Sequence, residues 1–250
     1  MFELLLFIQE SNISRSELFL SSKLWPRDYG KYNTNEALNG SLERLGTDYL
    51  DMMMMHWPEV PSELVAHKWS VLKETWRALE LAYDDGICRA IAVSNFSCDH
   101  LDKLLEMSSI VPHVNQIEFH PYQNPAKLRE HCESLGIQIQ GYGPLGKGNI
   151  LDCEPVTQVA NSIGRSAAQV LIRWSIENGV ATIPKSTRTQ RVLENISVFD
   201  FQLTLTDMNQ LNGLHDGRRY VDHTSIQQKI DSDMPDGYKL YLKKTKSIGG

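Results

Sequence analysis

Four times along this chain a helix-length stretch ends at a glycine and a short apolar run follows within a few residues. Gly46 precedes Tyr49–His56, Gly86 precedes Cys88–Ser94, Gly136 precedes Ile137–Gly143 and Gly179 precedes Val180–Lys185. Glycine closes helices because it enters the left-handed region without a Cβ penalty, so this punctuation marks repeated β-α units. Two more apolar runs, Leu18–Lys23 and His113–Phe119, complete a set of expected strands. Between them, Leu38, Leu42 and Leu45 make a helical stripe over Glu36–Leu45 behind Thr34 as N-cap, and Leu72, Trp76, Leu79 and Tyr83 make a second. Pro125–Leu135, Ser166–Asn178, Thr187–Asn195 and Thr206–Leu214 also read as helices.

The most apolar strand, Tyr-Leu-Asp-Met-Met-Met-Met-His-Trp-Pro over Tyr49–Pro58, has no polar face, which implies cover on both sides and hence a parallel α/β sheet. The expected strands recur at intervals averaging roughly 32 residues, the size of one βα unit. A closed (β/α) barrel needs eight such units, whereas six are visible. The chain opens inside an expected helix reaching about Glu10, and a polar tail runs from about Asp216 to Gly250. Two architectures fit the pattern: a barrel without its first two units, and an open sheet with helices on both faces. No linker or low-complexity stretch divides residues 1–250, so a single domain is expected.

A net charge of −6 gives no global basic field for nucleic acid or an anionic membrane, and the Lys243-Lys244-Thr245-Lys246 cluster reads as solvated. The opening Met1–Glu10 has no basic start, contains Glu3 and is too short to span a bilayer. Cys88, Cys98, Cys132 and Cys153 show neither zinc-site spacing nor a disulfide framework, so no metal is expected. Reduced thiols and a cytoplasmic location are expected in turn.

The strand ends carry the chemistry. Read in order they are Lys23, His56, Ser94-Asn95, Gln116, Tyr142 and Lys185-Ser186. Each alone has a plain structural explanation, such as a satisfied histidine or a capping serine. In a (β/α) barrel all would lie around one mouth, where such folds place catalysis.

Six segments resemble the aldo-keto reductase superfamily in order and spacing: Leu18-Phe-Leu-Ser-Ser-Lys-Leu-Trp-Pro26, Asp51-Met-Met-Met-Met-His-Trp-Pro58, Ile91-Ala-Val-Ser-Asn-Phe96, Val114-Asn-Gln-Ile-Glu-Phe-His-Pro-Tyr122, Gly141-Tyr-Gly-Pro-Leu-Gly146 and Ile183-Pro-Lys-Ser186 with Arg191-Val-Leu-Glu-Asn195. The resemblance implies a TIM barrel that binds NADP(H) and reduces aldehydes or ketones to alcohols as a monomer. It assigns Lys23 as the cation that lowers the pKa of a catalytic tyrosine, and His56 as the group that orients the substrate carbonyl. Ser94, Asn95 and Gln116 match the nicotinamide carboxamide contacts, and Tyr142 the ring stacked beneath the nicotinamide. Gly143 and Leu145 belong to the cofactor loop, Lys185, Ser186 and Arg191 to the adenosine 2′-phosphate pocket, and Glu194 and Asn195 to the adenine contacts. Trp25 and Trp57 fit the apolar wall of a substrate pocket.

The resemblance also implies a catalytic tyrosine and aspartate before Lys23, and no tyrosine precedes Lys23 in this sequence. The expectation is therefore an N-terminally shortened, incomplete barrel with impaired catalysis. A catalytically silent NADP(H)-binding or partner-binding protein is the alternative.

Overall fold

The computed structural model describes residue 8 and residues 10–233. Most of the helix expected up to Glu10, and the basic cluster at Lys243–Lys246, lie outside the described residues. The fold is α/β, and the chain divides into two compact units. One comprises the residues up to Ser94, Asp99–Pro112 and the segment from His223. The other comprises Asn95–Cys98 and His113–Asp222.

In the first unit, β1 (Ser21–Leu24), β2 (Met52–Met55) and β3 (Ile91–Ser94) pair in parallel in that order. All four methionines of β2 are at most 1% exposed, as a strand covered on both faces requires. Burial of each side chain contributes about 1.5–3 kcal/mol. Helix α1 (Lys31–Leu45) ends at Gly46, whose φ of 61° closes it in the left-handed conformation. Thr34 is not its N-cap: the helix starts after Gly30, and Thr34 lies inside it with its hydroxyl donating to the Asp28 carbonyl at 3.2 Å. The local cap signal was overridden because Thr34 finds its acceptor in the preceding turn. Helix α2 (Lys68–Asp84) buries Leu72, Trp76 and Leu79 on the expected stripe. Its buried Glu80 accepts backbone N–H groups from Ser109 and Ile110 at 2.5 and 2.9 Å, tying down the turn after α3 (Cys98–Leu105).

In the second unit, β4 (Val114–Glu118), β5 (Gln138–Tyr142) and β6 (Ala181–Ile183) are again parallel neighbours in chain order. Its helices are α4 (Ala126–Ser134), α5 (Glu154–Ile163), α6 (Ala167–Glu177), α7 (Thr189–Ile196) and α8 (Leu205–Asn212). Ser166 caps α6 through a reciprocal capping box with Gln169. Phe119 and Trp174 stack with centroids 4.8 Å apart, and the Trp174 indole donates to Asn212 Oδ1 at 2.9 Å, joining α6 to α8. Gly141 is needed on β5 because a Cβ there would meet Phe119 Cβ at 2.8 Å.

Within the stretch expected as a polar tail, Ile226–Ser232 forms a helix, α9, in the first unit. Ile226 and Ile230 are buried against Trp57. Two isoleucines four residues apart supply the apolar stripe that the surrounding polar composition masks.

Candidate functional site

The sequence-predicted residues divide between the two units, and each cluster has its own geometry. In the first unit, Lys23 on β1 lies in register with Met54 of β2, two residues before His56. The His56 backbone N–H donates to the Leu24 carbonyl at 3.1 Å, which holds the end of β2 beside β1. Burial pushes the Lys23 ammonium down to about 8. Burial, aided by the Lys23 charge, pushes His56 down to about 3, so its imidazole is neutral at physiological pH. A neutral ring retains one N–H donor for a carbonyl oxygen.

Aromatic rings enclose that histidine. Trp25 meets it edge-on with centroids 5.2 Å apart, and Trp57 stacks at 6.0 Å. His223 lies edge-on to Trp57 at 4.7 Å. The indole N–H groups of Trp25 and Trp57 are buried without a hydrogen-bond partner among the described residues. Two orphaned donors beside a neutral imidazole suit a small ligand that brings its own acceptor oxygens. His223 and the α9 isoleucines were missed in sequence because they sit in the polar stretch.

Ser94, the last residue of β3, is fully buried. In the second unit, Asn95 adopts a left-handed conformation with φ 65°, and its N–H donates to the Gln116 carbonyl at 2.9 Å. The Tyr142 hydroxyl donates to Asn95 Oδ1 at 2.8 Å, so three predicted residues are joined by hydrogen bonds. Burial, reinforced by the Glu118 charge, raises the Tyr142 phenol above its ordinary range and keeps it protonated. The Gln116 amide donates to Gln140 Oε1 at 2.5 Å. Gly143 follows Tyr142 with φ 63°, a conformation that serine would hold only under strain.

Leu145, Lys185, Ser186, Arg191, Glu194 and Asn195 all line one cleft of about 470 Å³. Arg188, Asp152 and Ser166 line it too and were not singled out in sequence. Arg188 was legible in principle, as a third cation between Lys185 and Arg191. Lys185, Arg188 and Arg191 make no ion pair among the described residues. Three cations with hydroxyl neighbours, left without carboxylate partners, fit a phosphate group. Among the described residues no cluster of His, Cys, Asp or Glu could hold a metal ion. No described helix is long and apolar enough to cross a membrane.

The chain is 46% identical over 234 residues to an uncharacterized oxidoreductase of Caenorhabditis elegans, covering 93% of this chain and 72% of the relative. It is 45% identical over 212 residues to the glyoxal reductase of Bacillus subtilis, covering 85% and 74%. Among solved structures it resembles MGS-M4, an aldo-keto reductase from a deep-sea metagenome library, with a TM-score of 0.83, 35% identity and 88% and 80% coverage. The Bombyx mori aldo-keto reductase, solved in complex with NADP, matches with a TM-score of 0.82, 32% identity and 94% and 80% coverage. The model of the aldo/keto reductase family matches residues 3–216, and with the six motifs at their strand ends the chain belongs to that family.

Proposed function

We propose that this chain is an NADP(H)-dependent carbonyl reductase acting on small aldehydes or ketones. The observation that carries the reading is the convergence of Lys185, Ser186, Arg191, Glu194 and Asn195 on one cleft with unpaired cations. That set suits a nucleotide bearing a 2′-phosphate. Asn95, Gln116 and Tyr142 hold the carboxamide end, with the Tyr142 hydroxyl fixing the Asn95 amide so that its orientation is set before binding. When bound, the reduced nicotinamide supplies a hydride to the carbonyl carbon. His56 donates an N–H to the carbonyl oxygen, and Trp25 and Trp57 wall its pocket. Lys23, half-buried and still largely protonated near neutral pH, places positive potential next to His56 and adds to the burial that keeps it neutral. The single-domain expectation is supported by one family model spanning residues 3–216.

The second reading is a protein that binds NADP(H) without turning over. Calorimetric titration with NADPH, followed by aldehyde-dependent NADPH oxidation, separates the two. Binding with aldehyde-dependent oxidation is the expected result. Binding without oxidation favours the silent protein, and no binding contradicts both.

A further inference from the structure

The chain leaving β5 passes through the left-handed region at Gly143 (φ 63°), Gly146 (52°), Lys147 (54°) and Gly148 (91°). Glycines lose the most conformational freedom on ordering, so this loop keeps one shape only where something packs against it. Tyr220 supplies that packing. Gly146 is buried, and a Cβ there would stand 3.0 Å from Tyr220 Cδ2 and Cε2, so the ring lies directly against the loop backbone.

The ring is held in turn by a buried carboxylate. The Tyr220 and Val221 N–H groups both donate to Glu118 Oε1, at 2.7 and 3.1 Å, and His120 Nε2 lies 3.3 Å from the same oxygen. The His120 and Tyr220 rings meet with centroids 5.3 Å apart. The same segment is tied again by the Asp216 and Gly217 N–H groups, which donate to the Tyr122 carbonyl at 3.3 and 3.1 Å. Glu118 ends β4 opposite Tyr142 and is 1% exposed. Burial raises its carboxyl, but His120 and the two backbone N–H groups outweigh that and hold it below the ordinary carboxylate range. Its hydrogen bonds offset the cost of burying the charge, and what they fix is the backbone of residues 220 and 221.

We propose that Tyr220 is a positioning residue for the cofactor loop, and that Glu118 sets it by clipping Tyr220 and Val221 to the end of β4. The inference rests on the NADP(H) reading and deepens it. Neither residue is among those lining the cleft of Lys185 and Arg191, so their action is on the loop between Tyr142 and that cleft. A loop already braced before binding costs less to order when the cofactor arrives. Loss of the brace is read in how fast the cofactor leaves, because affinity differences among variants of one site lie mostly in the dissociation rate.

The test uses the full chain. NADPH dissociation is followed by stopped-flow fluorescence with excess NADP as chase, and the affinity for 2′-AMP, which carries no pyrophosphate or nicotinamide, is measured in parallel. Tyr220→Ala should speed NADPH dissociation about 10-fold and leave 2′-AMP affinity unchanged. Tyr220→Phe keeps the ring and should restore the wild-type rate to within about 2-fold. Glu118→Gln keeps an acceptor oxygen and should speed dissociation by a smaller factor. Combined with Tyr220→Ala it should add nothing, since both act through one ring. An unchanged dissociation rate in folded Tyr220→Ala, judged by circular dichroism, overturns the inference and leaves the cofactor reading intact. So does a Tyr220→Phe rate equal to that of Tyr220→Ala, or an equal loss of NADPH and 2′-AMP affinity, which marks general loosening. A wild type that binds no NADPH overturns both.

Discussion

The Tyr29 phenol donates to the Trp57 carbonyl at 2.6 Å and accepts the Trp57 N–H at 3.1 Å, so one buried hydroxyl satisfies both backbone groups of the residue after His56. Burial holds this phenol protonated far above its ordinary range. Tyr29→Phe leaves a buried donor and acceptor without partners, at a cost of about 1–3 kcal/mol for each unsatisfied group. Urea denaturation should show a lower midpoint with an unchanged slope. A midpoint equal to wild type would mean that water or a shifted loop replaces the phenol.

His56 gives the protein a definite acid limb. Its folded pKa is about 3 against an ordinary 6.5, so between these values the unfolded chain binds a proton that the folded one does not. Stability therefore falls as pH drops from 6.5 towards 3, by at most about 1.4 kcal/mol per unit from this group. Denaturant titrations in that window should show a shallower pH slope for His56→Asn than for wild type. Lys23 acts in the alkaline window: with its folded value near 8 against 10.5, stability gains as pH rises through that range. Lys23→Met should remove this gain.

Trp57 is covered by α9, where Ile230 is fully buried. Ile230→Ala should destabilise the first unit by about 2–4 kcal/mol through lost burial and the cavity left behind. Tryptophan emission should shift to the red as Trp57 meets water. The anchoring of α9 by Asp231, which accepts from the Ser62 N–H at 2.8 Å and the Ser62 hydroxyl at 2.6 Å, should limit the damage to local loosening.

Tyr142→Phe removes the hydrogen bond to Asn95 Oδ1, on a residue held at φ 65°. NADPH affinity should fall about 3- to 10-fold, the worth of one neutral hydrogen bond. Stability should change less than in Tyr29→Phe, because the Tyr142 side chain is only partly buried. Equal affinities would show that Asn95 keeps its orientation without this hydrogen bond.

Much of this was legible in the residues. The buried Met52–Met55 run and the glycine stops at Gly46, Gly86, Gly136 and Gly179 located the strands, because both signals arise from local sterics and burial. Strands were shorter than the apolar runs: Leu18–Leu20 precede β1, and Lys185 lies beyond the end of β6. The start of α1 was misplaced because Thr34 finds its acceptor, the Asp28 carbonyl, in the preceding turn instead of capping the helix. Helix α9 was missed because its partner, Trp57, is far away in sequence. Within the cofactor set, the resemblance assigned Ser186 to the 2′-phosphate pocket; in the structure Ser186 lines the cleft and its hydroxyl is turned towards the Arg188 backbone, which no sequence signal gives.

The central claim is that His56 orients a carbonyl for reduction by NADPH. The most direct measurement is the rate of aldehyde-dependent NADPH oxidation by wild type and by His56→Asn, with NADPH affinity measured in parallel. The account predicts aldehyde-dependent oxidation by wild type, at least a 10-fold lower rate in the variant, and the same NADPH affinity in both. An oxidation rate independent of aldehyde, or one left unchanged by the substitution, contradicts it.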